Sequence, residues 1–518
     1  MGVLTEQARL LAENPSRTPA PSPKDANDRP QATPLAMSPS QVKSKDVTVV
    51  GGARSGRAAA RLLAGAGADV FLTEHGDASE GLTDALDEAG VQYEFGGHTQ
   101  RALEADFFVI SPGVPSSAPV VRQARQSGLA VYSEIEAASW FCEAPVMAIT
   151  GTNGKTTTTS LTGHLFKNAF EGADRNVIVA GNIGYPLSDY VTEARPRDVV
   201  VMEVSSFQLD HIDTFRPHVA ALLNVTPDHL DRYNDNFSEY AQSKFRLFEN
   251  QKEGDTLVYN HDDDLVRGFV EKAAGRRGLD ALAFSTTTEV ERGVFLAGEE
   301  GRIIFRIHGQ EESLMLADER APSLRGRHNL QNTLAAAVSA RIMEVRSDVL
   351  RESLTTFEGV PHRLELVRTT RAAAPGGDGA ADLAVGERAG TGVRWVNDSK
   401  ATNVNAVWYA LESFEGPVVL IAGGRDKGND YSTIKPLVRQ KGRAVVALGE
   451  SADKVMRELG QAAPQSEQVA SMQEATRAAQ RLARDGDVVL LSPACSSFDM
   501  YDNYEERGDT FRRLVLDL

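Results

Sequence analysis

The sequence predicts an α/β protein of three tandem domains, each built on a largely parallel sheet. The first observation behind this expectation is KDVTVVGGARSGRAAARLLAGAGADVFLTEH, which reads as strand, glycine turn, helix and second strand ending at Glu74. The second is a set of short apolar runs, VMAIT, NVIVAGNIG, DVVVMEVSSFQLD and HVAALLNVTPDHLDRY, each closing on polar or glycine residues. Strands of an open parallel sheet have this form, because functional groups sit just beyond their carboxyl ends. The third is a later set of the same kind, VRWVNDSK, GPVVLIAGGRDKG, RAVVALGES and DVVLLSPACSSFDMYDNYEERG. A chain of 518 residues exceeds the size at which one core keeps growing, so domains are expected at 45–141, 142–358 and 359–518.

Ahead of the first domain, seven of the 22 prolines fall within the first 40 residues and hydrophobic periodicity is absent. Residues 1–44 are therefore expected to form a disordered tail, without the apolar core of a secretory signal. In the first domain Gly51, Ala53 and Gly56 make a G-x-A-x-x-G version of the dinucleotide fingerprint, with Glu74 ending the next strand. The Ala53 methyl hinders close approach of a pyrophosphate, which leaves a nicotinamide cofactor, another nucleotide ligand or a packing turn as readings. DFFVISPGVP and the helical APVVRQARQSG carry the alternation on to about Phe141. The second domain closes with the helical stretch HNLQNTLAAAVSARIM. In the third, the Gly/Ala-rich segment 371–392 is expected to be a long hairpin loop or a mobile insert.

Lys and Arg number 55 against 72 Asp and Glu, a net charge of −17 that disfavours nucleic acid or an anionic membrane as the main partner. No apolar run approaches the roughly 18 residues of a membrane span. Cys142 and Cys495 are too few for a disulfide framework and read as two inert buried thiols in a reducing cytoplasm.

The strongest chemical signal is APVMAITGTNGKTTTTS, a strand, a turn and the start of a helix. Backbone N–H groups at a helix start favour phosphate, Lys155 adds a point charge, and the Thr156 hydroxyl can reach Mg²⁺. Magnesium prefers hard oxygen ligands, which draws attention to Glu203 at a later strand end. Alone, Glu203 reads more readily as a solvated strand end than as a ligand, and a lone His229 as a structural or surface histidine. The nearness of Lys155 and Thr156 favours Glu203 as a ligand, and the place of His229 between Asp228 and Asp231 opens a functional reading beside the structural one. Lys244 reads from spacing as a helix-surface lysine, and Lys400 and Lys427 as surface charges or a carboxylate clamp.

Taken in order, GTNGKTTT, EVSSFQLD, NVTPDHLDRY, SKFRLFEN, GRHNLQN, PHRLE, NDSKATN, GGRDKG and SPACSSFDMYDNYEERG resemble the Mur ligase family. The resemblance runs from about residue 45 to 518, outside the tail and the insert. It implies a Rossmann-like N-terminal domain for a UDP-linked substrate, a central P-loop ATPase domain and a Rossmann-like C-terminal domain closing on ATP and an amino acid. NDSKATN resembles the members that add D-glutamate to UDP-N-acetylmuramoyl-L-alanine. By the same resemblance, Gly151, Thr152, Asn153, Gly154, Lys155, Thr156 and Thr157 cradle ATP, with Asn332, Arg363 and Asp398. Thr156, Glu203, His229 and Lys244 serve two Mg²⁺ ions, with Lys244 carrying a CO₂-derived carbamate. Arg54, Ser55, Ser111, Pro112 and Gly113 face the UDP, and Asn182 and Ser205 the rest of that substrate. Lys400, Thr402, Lys427, Ser497 and Tyr504 hold D-glutamate. His75 and Gly76 stand where one well-known member carries a Thr-Arg pair, so uracil recognition is expected to differ.

The implied path is ATP-dependent: the substrate carboxylate attacks the γ-phosphate, and the amine attacks the resulting acyl phosphate. Lys155, Lys400, His229, Lys244 and Arg363 are the expected catalytic set. A cytoplasmic monomer acting on small molecules follows, with no nucleic acid or membrane partner. The competing expectations are another ligase of the same plan, such as a folylpolyglutamate synthase, a nucleotide-sensing module, and an NAD-dependent oxidoreductase.

Overall fold

The computed structural model describes residues 37–78, 81–182, 185–307, 309–372, 392–426 and 428–518. Most of the expected tail (1–36), most of the insert (373–391) and Lys427 lie outside the described residues. Among the described residues the strands form three sheets, and the chain divides into two compact units. One unit takes Met1–Arg320 and Asn329–Thr356, the other Ala321–His328 and Phe357–Leu518.

The first unit opens with β1 (Asp46–Val50), β2 (Asp69–Thr73), β3 (Gln92–Glu94), β4 (Phe107–Ile110) and β5 (Ala130–Ser133), a parallel sheet in the order β3-β2-β1-β4-β5. Side chains alternate across its strands: Val47 and Val49 join Leu63 and Leu86 on one face, while Val50 joins Val120 and Val121 on the other. One part of the expected tail is ordered. Pro39–Val42 is a helix, and Val42 is fully buried in the same cluster as Val47. A short apolar anchor beside a proline-rich run gives too little periodicity to be read from sequence.

The second sheet contains β6 (Val146–Thr150), β7 (Val177–Gly181), β8 (Val199–Glu203), β9 (Val219–Leu222), β10 (Thr256–Asn260), β11 (Asp280–Ser285), β12 (Gly293–Ala297), β13 (Arg302–Ile307) and β14 (Gln310–Leu316). Its order is β14-β13-β12-β11-β10-β9-β6-β8-β7, parallel as far as β12 and antiparallel through β13 and β14. The sequence reading did not foresee this antiparallel extension.

The two sheets of this unit are joined by buried polar contacts at the helix Glu134–Ser139. The Glu136 carboxylate accepts from the backbone of Asp213, Thr214 and Phe215 at 2.8–3.1 Å and from the Thr214 hydroxyl at 2.6 Å. Glu134 accepts from the Ser188 N–H and hydroxyl, and His211 is bracketed by Ser116 and Arg125 at 2.7 and 3.0 Å.

The second unit is one sheet of β15 (Glu365–Thr370), β16 (Val393–Asn397), β17 (Val418–Gly423), β18 (Gly442–Leu448), β19 (Gln465–Gln468) and β20 (Val488–Leu491). The order is β15-β16-β20-β17-β18-β19, with only β15 antiparallel to its neighbour. Val418, Leu420 and Ala422 enter one core cluster, and Val419 and Ile421 the other. Both faces are covered, which is why this strand reads as a continuous apolar run.

Candidate active site

Because β6 lies between β8 and β9, the loops leaving these three strands meet at one edge of the second sheet. The turn after β6 leads straight into the helix Lys155–Ala169, with Gly154 in a left-handed conformation (φ +86°) as its cap. A side chain there would run into Asn332 Oδ1, so Gly154 combines a positive φ with a close approach. The turn is pinned to the loop after β9. Thr152 N–H donates to Asn224 O and Asn153 N–H to Asn224 Oδ1, while the Thr152 hydroxyl bonds Thr226 O and Tyr240 at 2.9 Å. This bracing fixes the N–H groups at the helix start that suit a phosphate.

Two lysines converge on the turn. Lys155 Nζ donates to Gly151 O and Thr152 O at 2.9 and 2.8 Å, and Lys244 Nζ donates to the same Gly151 O at 2.8 Å. Lys244 is not the surface lysine that spacing suggests: it is 2% exposed. Its burial, and then the charge of Lys155, drive its pKa well below the ordinary lysine value, against the pull of Asp228, Asp210 and Glu203.

Glu203 ends β8 fully inside the protein, its Oε1 accepting from Asn182 Nδ2 at 2.9 Å. Its Oε2 is buried without a hydrogen-bond partner. Thr156 and Asn153 are half-buried at the turn, Thr157 and Gly151 buried, and Asn332 Oδ1 accepts from Thr158 at 3.3 Å. Ser205 starts the short helix Ser206–Leu209, its N–H bonded to Gln208 Oε1. His229 takes a left-handed backbone after β9, 46% exposed, with Asp228 at 3.8 Å and the Phe207 ring against its edge. Among the described residues no three His, Cys, Asp or Glu side chains gather as a metal centre.

In the same unit a cavity of about 910 Å³ collects Arg54, Ser55, Ser111, Pro112, Gly113 and Asn182 on its walls. Glu74, the acid of the fingerprint, accepts from Gly52 N–H at 2.6 Å and Gly76 N–H at 2.9 Å. Burial opposes its charge, but these backbone bonds hold its pKa below the ordinary carboxyl value. Its carboxylate is thus engaged with its own turn. Arg232, from the loop after β9, donates to Pro112 O and Gly113 O at 3.0 and 3.1 Å, a link that sequence reasoning missed.

In the second unit, Asp398 is fully buried between Arg363 at 3.7 Å and the Ser492 hydroxyl at 2.8 Å. Burial pushes its carboxyl up to about 6, with Arg363 and Ser492 pulling the other way. Lys400 Nζ donates to the Tyr504 hydroxyl at 3.1 Å, and Ser497 is buried ahead of the helix Tyr504–Leu516. Thr402 is half-buried, its N–H on Lys400 O at 2.9 Å. Arg507, also missed, fixes this loop by donating to Ser399 O at 2.8 Å and to Cys495 O at 3.1 Å. Its position one turn into the helix Tyr504–Leu516 was available in NYEERG, but its target lies 108 residues away. Cys495 is buried as expected, whereas Cys142 is only half-buried.

Three family models match the chain: the MurD N-terminal domain over residues 46–120, the Mur ligase middle domain over 149–340, and the Mur ligase, glutamate ligase domain over 384–495. The chain is 62% identical over 483 residues to a UDP-N-acetylmuramoylalanine–D-glutamate ligase of Salinibacter ruber, covering 92% of this chain and 99% of that protein. It is 42% identical over 489 residues to a protein of the same description from Chloroherpeton thalassium, covering 93% and 100%. Among solved structures it resembles a UDP-N-acetylmuramate–alanine ligase from Thermotoga maritima (TM-score 0.53, 17% identity, 91% of this chain and 99% of that one). A pseudomurein peptide ligase type C from Methanothermus fervidus gives a TM-score of 0.51 at 18% identity, over 92% and 100%. At these identities the two structures speak for the fold alone.

Proposed function

This chain belongs to the Mur ligase family, and from that premise we propose how its residues divide the work of one reaction. The protein is an ATP-dependent amide-forming ligase that joins D-glutamate to UDP-N-acetylmuramoyl-L-alanine in peptidoglycan synthesis. The observation that carries the assignment to this site is the braced turn Gly151–Gly154 with Lys155 folded over it, beside a cavity lined by Arg54 and Asn182.

A carboxylate is a poor acceptor for an amine in water, so it must first become an acyl phosphate. The N–H groups of Gly154 to Thr157 at the helix start and the Lys155 ammonium are assigned to the ATP phosphates, with Gly151, Thr152 and Asn153 shaping the turn, and Lys155 offsets the repulsion between phosphate and the incoming carboxylate. The hard-oxygen set fits magnesium: Glu203 Oε2 is buried and unpartnered, and the Thr156 hydroxyl opens the same helix. Thr156, Glu203, His229 and Lys244 are the residues assigned to hold two ions. When bound, magnesium supplies further neutralisation of the phosphate oxygens.

Lys244 is assigned a carbamate. Attack on CO₂ requires a neutral amine, and full burial beside a second ammonium favours that form. The nitrogen bonds to the CO₂ carbon as one C=O π pair moves onto oxygen, and the nitrogen releases a proton to solvent, leaving an oxygen-bearing anion on the side chain. Asn332, Arg363 and Asp398 are each assigned to ATP. Lys400, Thr402, Lys427, Ser497 and Tyr504 are assigned to D-glutamate, and Ser205 to the UDP-linked substrate. The three functional divisions are 45–141, 142–358 and 359–518, acting as a cytoplasmic monomer on small molecules, without nucleic acid or membrane. No described helix is long and apolar enough to cross a membrane.

The test is phosphate release from ATP by purified protein with UDP-N-acetylmuramoyl-L-alanine while the amino acid is varied. Release that depends on D-glutamate, matched by amide product, is the expected result. Turnover indifferent to the amino acid rejects the substrate assignment, and product without ATP breakdown rejects the mechanism.

A further inference from the structure

The cavity of about 910 Å³ has a direction. On one side Asn182 is bonded to Glu203 of the second sheet, and on the other Glu74, His75, Gly97 and His98 come from the loops after β2 and β3. A ligand whose reacting carboxylate lies toward the Lys155 turn therefore presents its base to the loops after β2 and β3.

A hydrogen-bond chain there fixes a histidine tautomer. The Glu94 carboxylate accepts from Thr99 N–H at 3.0 Å and from the Thr99 hydroxyl at 2.6 Å. Burial opposes its charge, yet the Thr73 and Thr99 bonds hold its pKa below the ordinary carboxyl value. It also accepts from the Thr73 hydroxyl at 2.6 Å, and a carboxylate only accepts, so the single Thr73 proton goes to Glu94. Thr73 Oγ1 lies 2.7 Å from His98 Nδ1 and must be the acceptor there. Nδ1 therefore bears the ring proton. Neutral His98 keeps a bare lone pair on Nε2, and His98 is one of the residues that line the cavity.

We propose that His98, held by the Glu94–Thr73 chain, reads the uracil base of the UDP-linked substrate by accepting its N3–H proton at Nε2. The proposal rests on the reading of this cavity as the UDP-substrate site. Uracil carries N3–H between two carbonyl oxygens. Cytosine presents a bare N3 at the same place, where two lone pairs would face each other, so the site rejects it. Buried groups left unpaired by the wrong partner are a strong source of selectivity. The His75 ring stacks on His98 with centroids 5.9 Å apart and supports its orientation.

The groups acting on His98 are Glu94 of β3 and Glu74 and His75 from the loop after β2. Burial is the largest influence and lowers its pKa from 6.5; His75 acts in the same sense and the two carboxylates oppose it. His98 is accordingly neutral near pH 7, and protonation at lower pH places a proton on Nε2 and removes the acceptor.

Calorimetric titration of the full chain with UDP and with CDP, at about pH 7.5 and about pH 5.5, tests the assignment. The wild type is expected to prefer UDP by ~10–100-fold at the upper pH, with a smaller ratio at the lower. The phosphates titrate alike in both nucleotides, so the ratio isolates the base. His98→Ala should bring the two affinities to within ~3-fold while KM for the UDP-linked substrate rises and kcat holds. His98→Gln offers a carbonyl acceptor that does not titrate and should keep the preference but lose its pH dependence. A merely structural role would weaken both nucleotides equally. A persistent UDP preference in His98→Ala, or a wild-type pH dependence in His98→Gln, overturns the proposal; if the alanine variant fails to fold, the glutamine profile decides. Failure of the wild type to bind UDP at all overturns the cavity reading itself, a result distinct from either variant outcome.

Discussion

Gly151 O accepts from two lysine side chains, Lys155 and Lys244, at 2.9 and 2.8 Å. Like charges this close are tolerated when one is neutral or when anions arrive, and the two residues answer that in different ways. Lys155→Ala is expected to abolish acyl-phosphate formation, losing at least ~100-fold in turnover, as rapid-quench trapping of the intermediate would show. Lys244→Ala is expected to lose most activity yet regain part of it on addition of a short carboxylic acid, which restores oxygen donors to the gap. An absence of both rescue and CO₂ dependence would remove the carbamate from the account. The two lysines also show what a sequence reveals. Lys155 was legible because strand, turn and helix start are local and contiguous. Lys244 was not, because its burial is set by Gly151, 93 residues away, and a lone lysine on a short helix carries no sign of that contact. Glu203 stood between: its place at a strand end was readable, but its unpartnered Oε2 was not.

The helix Glu134–Ser139 carries much of the connection between the first two sheets. Glu136 takes three backbone N–H groups from the turn 213–215, so Glu136→Ala would leave several buried donors unpaired. A loss of about 3 kcal/mol is expected, measurable by denaturant unfolding, with Glu136→Gln recovering part of it. If both variants unfold like the wild type, the clamp is dispensable. No sequence pattern announces this element, because EIEAAS reads as an ordinary helical piece and its partners lie 77 to 79 residues on. The parallel strands were legible for the opposite reason. VMAIT and PVVLIAG are apolar on both faces and end in glycine or threonine, a pattern set by helices covering each side of a sheet. The antiparallel β12–β14 extension escaped notice: β13 and β14 mix arginines and glutamates into their apolar positions and carry no functional residue at their ends.

At the scale of the molecule, the sequence divided the chain by its three sets of strands, whereas packing gathers the first two sheets into one compact unit. The buried Glu134 in their junction makes that unit sensitive to pH. Burial pushes its carboxyl up to about 7, from an ordinary value of 4.5, against two bonds from Ser188. The folded form thus keeps a proton that the unfolded chain releases, so the stabilisation is complete below 4.5 and is lost as pH rises through about 7. Between about pH 5 and pH 8 this group alone should remove roughly 3 kcal/mol, and Glu134→Gln should flatten that slope in thermal unfolding. An unchanged slope in the variant would assign the pH response elsewhere. The order of the last sheet sets a timetable for biosynthesis. β20, the final strand, sits between β16 and β17, so the nascent chain reaches β19 with a gap at the centre of its hydrogen-bonding ladder. This unit cannot close its sheet until β20 has been synthesised, by which time every described strand of the other unit has already been made.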